Sequence, residues 1–216
     1  MRSMLVIGLG RFGENLAKTL AELGNEVMAV DNNEANINKI APFVTSAVVG
    51  DCMEPSVIES LGVADFDTCF VCISENFQSS LEITSLLKEM GASYVVSKAD
   101  RDLHGKFLLK IGADEVIQPE RDMAQRTAIR FTVGNVLNYY ELTSQFAILE
   151  MATPEKWLGK TIAEVDVRAK YHVNIIGAKR GDEAIPILDA GYVFNAEENL
   201  LVSADKKDGL RLLGKL

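Results

Sequence analysis

From Met4 to about Leu137 the chain alternates short apolar segments with longer amphipathic ones, and no other feature restricts its fold as strongly. Each apolar run has the length of a buried strand and is followed by residues with helical spacing, several of which end at a glycine. Strands that alternate with helices produce a parallel sheet with helices on both faces. We therefore predict a Rossmann-like, doubly wound α/β domain with a parallel six-stranded sheet. The apolar runs begin at Met4, Glu26, Ser46, Asp67, Ser93 and Asp114.

After Tyr140 the pattern changes, and shorter strand-like segments replace the regular alternation. A long helix from about Asp122 to Asn138 is predicted to lead directly into this second part, since no Pro-, Gly- or Ser-rich linker separates the two. We predict two domains, 1–140 and 141–216, and the second is a small α+β domain. Its expected strands are 144–151, 173–186 and 198–205, and its expected helices are 160–171 and 206–213.

The composition argues against several classes of protein. The 216 residues carry a formal net charge of −9, so the basic surface that binds nucleic acids is missing. Hydrophobic residues make up 48% of the chain, but no apolar run reaches the roughly 18 residues that span a bilayer. The N-terminus enters a strand at once and lacks the apolar region of a signal peptide. We expect a cytoplasmic protein that does not bind nucleic acid.

The cysteines Cys52, Cys69 and Cys72 include one C-x-x-C pattern. Residues three apart on a strand point to opposite faces, so Cys69 and Cys72 cannot easily share a metal or form a disulfide. We predict buried strand cysteines, and a redox or zinc site is the alternative.

The first strand leads into a glycine-rich turn, VIGLGRFG, from Val6 to Gly13. In such a turn Gly8 permits a tight bend, Gly10 lets a phosphate approach the backbone, and Gly13 packs a helix against the strand. The helix N-terminus that follows favours anions. Asp31 ends the second strand, where a carboxylate accepts hydrogen bonds from ribose hydroxyls. The pattern predicts nucleotide binding, and the alternative is a glycine turn without a ligand.

Polar residues also follow the next strands of the predicted sheet. Asp51 ends the third apolar run, and Ser74, Glu75 and Asn76 follow the fourth. Ligands of open α/β sheets bind at these carboxyl ends, so Asp51 is placed to meet the adenine or its ribose. The alternatives are a loop-capping role for Asp51 and a helix N-cap role for the Ser-Glu-Asn segment.

Three charged residues are placed near the phosphates. An arginine within the glycine loop, Arg11, suits ATP, which carries more negative charge than the pyrophosphate of NAD. Lys98 ends the fifth apolar run and can reach the same phosphates, and Glu120 can hold a cation beside them. The alternatives are a solvent-exposed helix residue for Arg11 and a cap of the long helix for Glu120.

The sequence shows no recognisable catalytic arrangement. His104 is expected on the solvent-facing side of a helix, and His172 lies in the second domain beside Tyr171. Neither belongs to a triad, and no metal-ligand spacing, G-x-S-x-G motif or Walker lysine is present. We predict that the chain binds a nucleotide without transforming it, and that it is not an enzyme.

These segments together resemble the cytosolic regulatory subunits of potassium transporters, the KtrA/TrkA type built from RCK domains. The resemblance covers essentially the whole chain, and dehydrogenases do not share its later segments. It rests on VIGLGRFG, VMAVD ending at Asp31, AVVGD ending at Asp51, KIGADEVIQPERDMAQR, NVLNYYEL and VRAKYHVNIIGAKRG.

The resemblance implies a regulator that is peripheral on the cytoplasmic face of the cell membrane. Such proteins form homodimers and assemble into a homo-octameric ring that docks on a membrane-embedded K⁺ transporter subunit. ATP and ADP compete for one site and favour different ring shapes, and ATP activates.

The resemblance also assigns roles to individual residues. Arg11 matches an arginine that reaches the terminal phosphate, including across the dimer interface, and Lys98 matches a lysine near the phosphates. Glu120 matches a glutamate associated with Mg²⁺ or another cation. The helix after Glu120 matches the crossover helix of the dimer, with apolar positions Ala124, Ala128, Phe131 and Val136. The residues expected to bind the nucleotide are Gly8, Gly10, Arg11, Phe12, Gly13, Asp31, Asn32, Asp51, Cys52, Ser74, Glu75, Asn76 and Lys98.

The second domain resembles the RCK C-terminal domain, whose dimer interface binds cyclic di-AMP in some members. Apolar walls and one arginine can hold an adenine and a phosphate, and the alternative is a packed dimer core. His172 departs from the family pattern, because many relatives have glycine there. The matching residues are Ile162, Arg168, Asn174, Ile175 and Pro186.

Three rival functions remain open. An NAD(H)-responsive redox sensor would share the glycine loop and Asp31 but would not need Arg11 or Glu120. An NAD-dependent dehydrogenase would need a proton donor in the cleft. A nucleotide-responsive DNA-binding regulator is disfavoured by the acidic charge.

Overall fold

The protein folds into two compact units, Met1–Glu120 and Arg121–Leu216. A computed structural model describes residues 1–73, 76–132, 136–143, 145–185, 188–205, 207–209 and 212. Within these ranges no helix combines the length and the hydropathy that crossing a bilayer requires.

The first unit is a parallel six-stranded sheet with strand order β3-β2-β1-β4-β5-β6. This order confirms the predicted Rossmann-like fold, because the chain winds outward from β1 in one direction and then from β4 in the other. The strands are β1 Ser3–Ile7, β2 Glu26–Asp31, β3 Ser46–Val49, β4 Thr68–Val71, β5 Val95–Lys98 and β6 Glu115–Ile117.

Helices cover both faces of this sheet, so its central strands are buried on two sides. Met4 and Val6 of β1 belong to one apolar cluster, whereas Leu5 and Ile7 belong to another. Such near-continuous burial is typical of parallel strands. The helices are α1 Arg11–Glu22, α2 Glu34–Ile40, α3 Pro55–Ser60, α4 Phe77–Glu89 and α5 Asp102–Lys110.

The three cysteines are buried and free, but only Cys69 lies on a strand, whereas Cys52 is in the turn after β3 and Cys72 follows β4. Cys69 and Cys72 lie in different core clusters, on opposite faces of the sheet. Burial raises the pKa of each of the three thiols to about 12. Among the described residues no group of histidine, cysteine and acidic side chains is placed to hold a metal ion.

The expectation that His104 faces solvent is wrong. Its side chain is fully buried between α5 and α4. Both ring nitrogens have partners, Asp100 and Ser80, so the imidazole enters the core without losing its hydrogen bonds.

The second unit contains an antiparallel five-stranded sheet with order β10-β9-β11-β8-β7. One face packs on a single apolar core, to which β8 contributes Ala147, Leu149 and Met151. The strands are β7 Val136–Glu141, β8 Phe146–Ala152, β9 Val173–Arg180, β10 Glu183–Ile185 and β11 Asn199–Asp205, and the helices are α7 Ile162–Val165 and α8 Val167–Tyr171. Helix α6, Pro119–Thr132, begins with the last two residues of the first unit and continues in the second.

The predicted helix from Asp122 to Asn138 is wrong in its last part. Helix α6 ends at Thr132, and the segment with Val136 and Tyr139 forms β7, which pairs with β8. The β-branched and aromatic side chains of this segment favour a strand once a partner edge is available. The two compact units divide after Glu120, whereas the sequence predicts a domain boundary after residue 140.

Of the apolar positions assigned to the crossover helix, Ala124, Ala128 and Phe131 lie exposed on α6, and Val136 lies in β7. The predicted strand 173–186 is a hairpin of β9 and β10 that turns at Gly181. Residues 207–209 and 212 of the predicted closing helix are helical, and its other residues lie outside the described ranges.

Two non-glycine residues of the described chain have positive φ, and both flank α8. Asp166 precedes the helix with φ 53°, and His172 ends it with φ 57°. The left-handed conformation is disfavoured for residues with a Cβ atom. The backbone thus accounts for the glycine expected in relatives at the position of His172.

We expect His172→Gly to raise the free energy of unfolding by about 1 kcal/mol relative to His172→Ala, because only glycine adopts this conformation without strain. Both variants remove the imidazole, so their difference isolates the backbone effect. Urea unfolding followed by circular dichroism measures it, and equal stability of the two variants would contradict the strain.

Candidate functional site

A cleft of about 800 Å³ lies in the first unit at the carboxyl ends of its strands. It opens where β1 and β4 are neighbours and the strand order reverses, which is the usual ligand position in this fold. Gly13 lies behind the glycine loop, and Ser74 and Glu75 fall outside the described residues. The predicted residues that line the cleft are Gly8, Gly10, Arg11, Phe12, Asp31, Asn32, Asp51, Cys52, Asn76, Lys98 and Glu120.

The three glycines have different spatial requirements. Gly8 has φ 89°, which favours glycine. A Cβ atom on Gly13 would lie 1.9 Å from the Gly8 carbonyl oxygen, so α1 can pack here only without a side chain. A Cβ atom on Gly10 would meet nothing within 4 Å and would project into open space. The backbone at Gly10 therefore leaves room for a ligand to approach closely.

The N-terminus of α1 faces this space. Gly10 is its N-cap residue and provides no side-chain hydrogen bond to the first turn. The first N–H groups of a helix lack intrahelical acceptors and carry a partial positive charge. This end of the cleft is therefore suited to a phosphate.

The Asp31 carboxylate joins the glycine loop to the second strand. One oxygen accepts a hydrogen bond from the Leu9 N–H at 2.6 Å, and the other accepts one from the Asn33 N–H at 2.8 Å. Asn36 Nδ2 donates to the second oxygen at 3.2 Å. Asp31 thus holds the loop in shape while lining the cleft, where its remaining acceptor positions suit ribose hydroxyls.

Asp51 and Asn76 make the capping hydrogen bonds that were considered as alternatives to ligand binding. Asp51 Oδ1 accepts from the Met53 N–H at 2.9 Å, and Asn76 Oδ1 accepts from the Ser79 N–H at 3.2 Å as the N-cap of α4. Both residues line the cleft as well. Capping fixes their side chains there, so it does not exclude contact with a ligand.

Lys98 and Glu120 form an ion pair in the cleft wall opposite β2, the strand that ends at Asp31. Lys98 Nζ lies 2.6 Å from Glu120 Oε1, and the lysine side chain is 10% exposed whereas the glutamate side chain is 68% exposed. The hydrogen bond from Lys98 lowers the pKa of Glu120. The ammonium also lies 5.8 Å from the ring centre of Phe12. Glu120 is therefore a carboxylate at neutral pH that neutralises Lys98.

Arg11 is the first residue of α1, and its side chain is exposed. Its guanidinium makes no ion pair with any residue that the structure describes. An unengaged guanidinium at the phosphate end of the cleft is available to a phosphate oxygen.

Part of the cleft wall was not predicted. Ile73 directly follows Cys72 at the end of β4, and the carboxyl-end position could have indicated it. Ser79 and Ile83 lie one helical turn apart on α4, so only the orientation of that helix brings them to the cleft. The other lining residues that were not predicted are Ile7, Val30, Gly50, Met53 and Cys72.

The candidate residues of the second unit lie close together but are engaged with one another. Arg168 donates to Asn174 Oδ1 from Nε at 3.0 Å and from Nη2 at 2.6 Å. Ile162 and Ile175 pack against the apolar core. Pro186 lies outside the described residues. These contacts within one chain do not test the packed dimer core, so both that alternative and a cyclic di-AMP site stay predictions.

Comparison with known families defines the class of the protein. The TrkA-N domain family matches residues 4–119, and the TrkA-C domain family matches residues 146–215. The chain is 42% identical to the Ktr system potassium uptake protein C of Bacillus subtilis over 96% of this chain and 94% of that protein. It is 33% identical to the Ktr system potassium uptake protein A of Vibrio alginolyticus over 93% and 91%.

Solved structures agree with the fold. The GsuK channel superimposes with a TM-score of 0.72 at 19% identity, covering 98% of this chain and 39% of the channel chain. The GsuK RCK domain superimposes with a TM-score of 0.70 at 20% identity, covering 98% and 47%. This chain thus spans less than half the length of those solved chains. The protein belongs to the KtrA/TrkA family of potassium uptake proteins that are built from RCK domains.

We expect Gly13→Ala to lower the free energy of unfolding by about 3 kcal/mol, because its Cβ atom would collide with the Gly8 carbonyl. Gly10→Ala is the matched control and should cost about 1 kcal/mol or less, since its Cβ atom meets no neighbour. Urea unfolding of both variants measures the difference, and equal costs would contradict the packing role of Gly13.

Proposed function

We propose that this protein is a nucleotide-sensing regulatory subunit of a K⁺ uptake system, which binds ATP and ADP in the cleft of its first unit and does not transform them. The family relationship supports the regulatory role, since close relatives are named Ktr potassium uptake proteins. The observation that carries the ligand assignment is Arg11 at the open N-terminus of α1, which is exposed and forms no ion pair with the part of the chain that the structure describes.

The cleft has one end suited to adenosine and one end suited to phosphates. Asp31 and Asp51 offer acceptors for ribose hydroxyls and the adenine amino group, and Met53 and Ile73 offer apolar contact. At the other end Gly10, Arg11 and the α1 N–H groups can donate hydrogen bonds to anionic oxygens. Residues for both ends of a nucleoside polyphosphate are therefore present.

Arg11 is assigned to discrimination between ATP and ADP. A ligand shifts a conformational equilibrium only through a difference in affinity for the two conformations. The terminal phosphate is the group that distinguishes the two nucleotides, so a cation that contacts it in only one ring shape provides that difference. In an assembly Arg11 acts on the nucleotide of its own subunit or on that of the neighbouring one.

Lys98 and Glu120 are assigned to a cation-linked part of the site. A phosphate that reaches Lys98 competes with Glu120 for the ammonium group. Glu120 then has a free carboxylate, which is a preferred ligand for Mg²⁺ together with phosphate oxygens. Binding of Mg²⁺ or another cation near Glu120 would therefore depend on a bound nucleotide.

The assembly is proposed to be a homodimer that builds an octameric ring on the cytoplasmic face of a membrane K⁺ transporter. Exposed apolar residues on α6 support a subunit contact at that helix. The side chain of Met123 is 60% exposed and that of Phe131 is 78% exposed. Apolar groups so exposed on a single chain favour burial in an interface.

An NAD(H)-responsive redox sensor is the second candidate. Asp31 and the glycine loop favour it, since both suit a dinucleotide equally well. Among solved GsuK structures, one is described as bound to NAD and another as bound to ADP. This alternative gives Arg11 no function.

We expect Arg11→Ala to lower ATP affinity about tenfold or more while ADP affinity changes little, because one charge-assisted contact to the terminal phosphate is lost. Arg2→Ala, at an exposed arginine before β1, is the control and should change neither affinity. Isothermal titration calorimetry measures both. An equal loss of ATP and ADP binding would refute the sensing role of Arg11.

The test of the proposed function is calorimetric titration of the whole chain with ATP, ADP and NADH in the presence of Mg²⁺. Tighter binding of ATP and ADP than of NADH is expected. Preferential NADH binding would favour the redox sensor instead.

A further inference from the structure

A connected group of polar side chains is completely buried between β5, α4 and α5. Ser80, Thr84, Ser97 and His104 have no exposed surface at all. Buried polar groups are costly unless hydrogen-bonded, and apolar residues of similar size often serve stability as well or better. Each of these side chains therefore needs a hydrogen-bond partner inside the protein.

Their hydrogen bonds form a continuous path. Asp100 Oδ1 lies 2.9 Å from His104 Nδ1, and His104 Nε2 lies 3.2 Å from Ser80 Oγ. Thr84 Oγ1 donates to the Ser80 carbonyl oxygen at 2.7 Å and lies 2.9 Å from Ser97 Oγ. The path thus begins in the loop after β5, crosses α5 and α4, and returns to β5.

This path fixes the segment that carries Lys98. Ser97 immediately precedes Lys98 and is held by α4, and Asp100 follows Lys98 by two residues and is held by α5. The same path holds α4, whose first turn presents Asn76 and Ser79 to the cleft. The positions of Lys98, Asn76 and Ser79 in one cleft wall therefore depend on α4 and α5, the helices that His104 joins.

The surroundings of His104 argue against a chemical role. A carboxylate, an imidazole and a hydroxyl in sequence resemble a hydrolase triad, but Ser80 is fully buried and does not line the cleft. The Phe77 ring lies 4.9 Å from the imidazole, and the Arg101 guanidinium lies over that ring. The hydrogen bond from His104 lowers the pKa of Asp100, so the carboxylate is ionised and the imidazole is held in one orientation.

We propose that His104 is a positioning residue for the phosphate side of the nucleotide cleft. By joining α5 to α4 it holds Lys98, Asn76 and Ser79 at the distances that phosphates require. The residues at the adenosine end are Asp31, which ends β2, and Asp51, which follows β3, and the path reaches neither strand. The inference rests on the proposed nucleotide binding and adds to it a residue outside the cleft.

The test is calorimetric titration of the whole chain and of His104→Phe with AMP, ADP and ATP. Phenylalanine keeps the aromatic packing against Phe77 and removes both hydrogen bonds. We expect ATP affinity to fall on the order of tenfold and AMP affinity to stay within about twofold, since misplacement of phosphate ligands costs more as phosphates are added. A role in stability alone would weaken the three nucleotides equally, and that result would overturn the proposal.

Two further variants keep the test decisive. Ser80→Ala removes one oxygen and should reproduce the same pattern if His104→Phe does not fold. Asp114→Asn is the matched control, because Asp114 Oδ2 accepts from the Val95 N–H and from Lys88 and so joins β5 and α4 at their other ends. This variant should destabilise the first unit, and any change in affinity should be the same for AMP, ADP and ATP.

The outcomes distinguish failure of the proposed nucleotide binding from failure of the positioning role of His104. If the unmodified chain binds none of the nucleotides, the proposed function fails and this inference falls with it. If it binds ATP and both His104→Phe and Ser80→Ala bind ATP equally well, only the positioning role of His104 is refuted.

Discussion

The contact between Gly13 and the Gly8 carbonyl is the constraint on which the rest of the first unit depends. Helix α1 lies so close to the end of β1 that a single methyl group at Gly13 would overlap the loop. Helix α1 therefore begins at the cleft, which Gly10 and Arg11 line, and Arg11 is exposed there. The Asp31 carboxylate then holds the loop through the Leu9 N–H. One missing side chain thus fixes the backbone to which a phosphate would bind.

The charges of the cleft are separated along its length. The carboxylate of Asp31 ends β2 and that of Asp51 follows β3, whereas Lys98 ends β5 and Arg11 begins α1. Because attraction between charges falls with distance and with solvent exposure, this separation gives a nucleotide a single favourable orientation. Glu120 is the exception, since it lies at the cationic wall and neutralises Lys98. A ligand phosphate has to replace that carboxylate before it gains the full attraction of the lysine.

The sequence was sufficient for features that depend on local spacing. The parallel sheet and the glycine loop follow from apolar runs and glycines near one another in the chain. The sequence was insufficient for features whose structure depends on a partner distant in the chain. Strand β7 forms because β8 offers it an edge, and a segment with helical spacing gives no sign of that. Likewise His104 is buried because Ser80, on another helix, supplies its second hydrogen bond. In the cleft, the pairing of Lys98 with Glu120 was equally hidden, although both residues were predicted to lie there.

The burial of the cysteines bears on what kind of signal the cleft can report. Cys52 and Cys72 line it, and with pKa values raised to about 12 their thiols stay protonated at cellular pH. Peroxides and electrophiles react with thiolates far faster than with thiols. The two cysteine thiols of the cleft are therefore poorly reactive toward oxidants, although the Met53 thioether also lines it. A signal read in this cleft would therefore not be altered by modification of its cysteines.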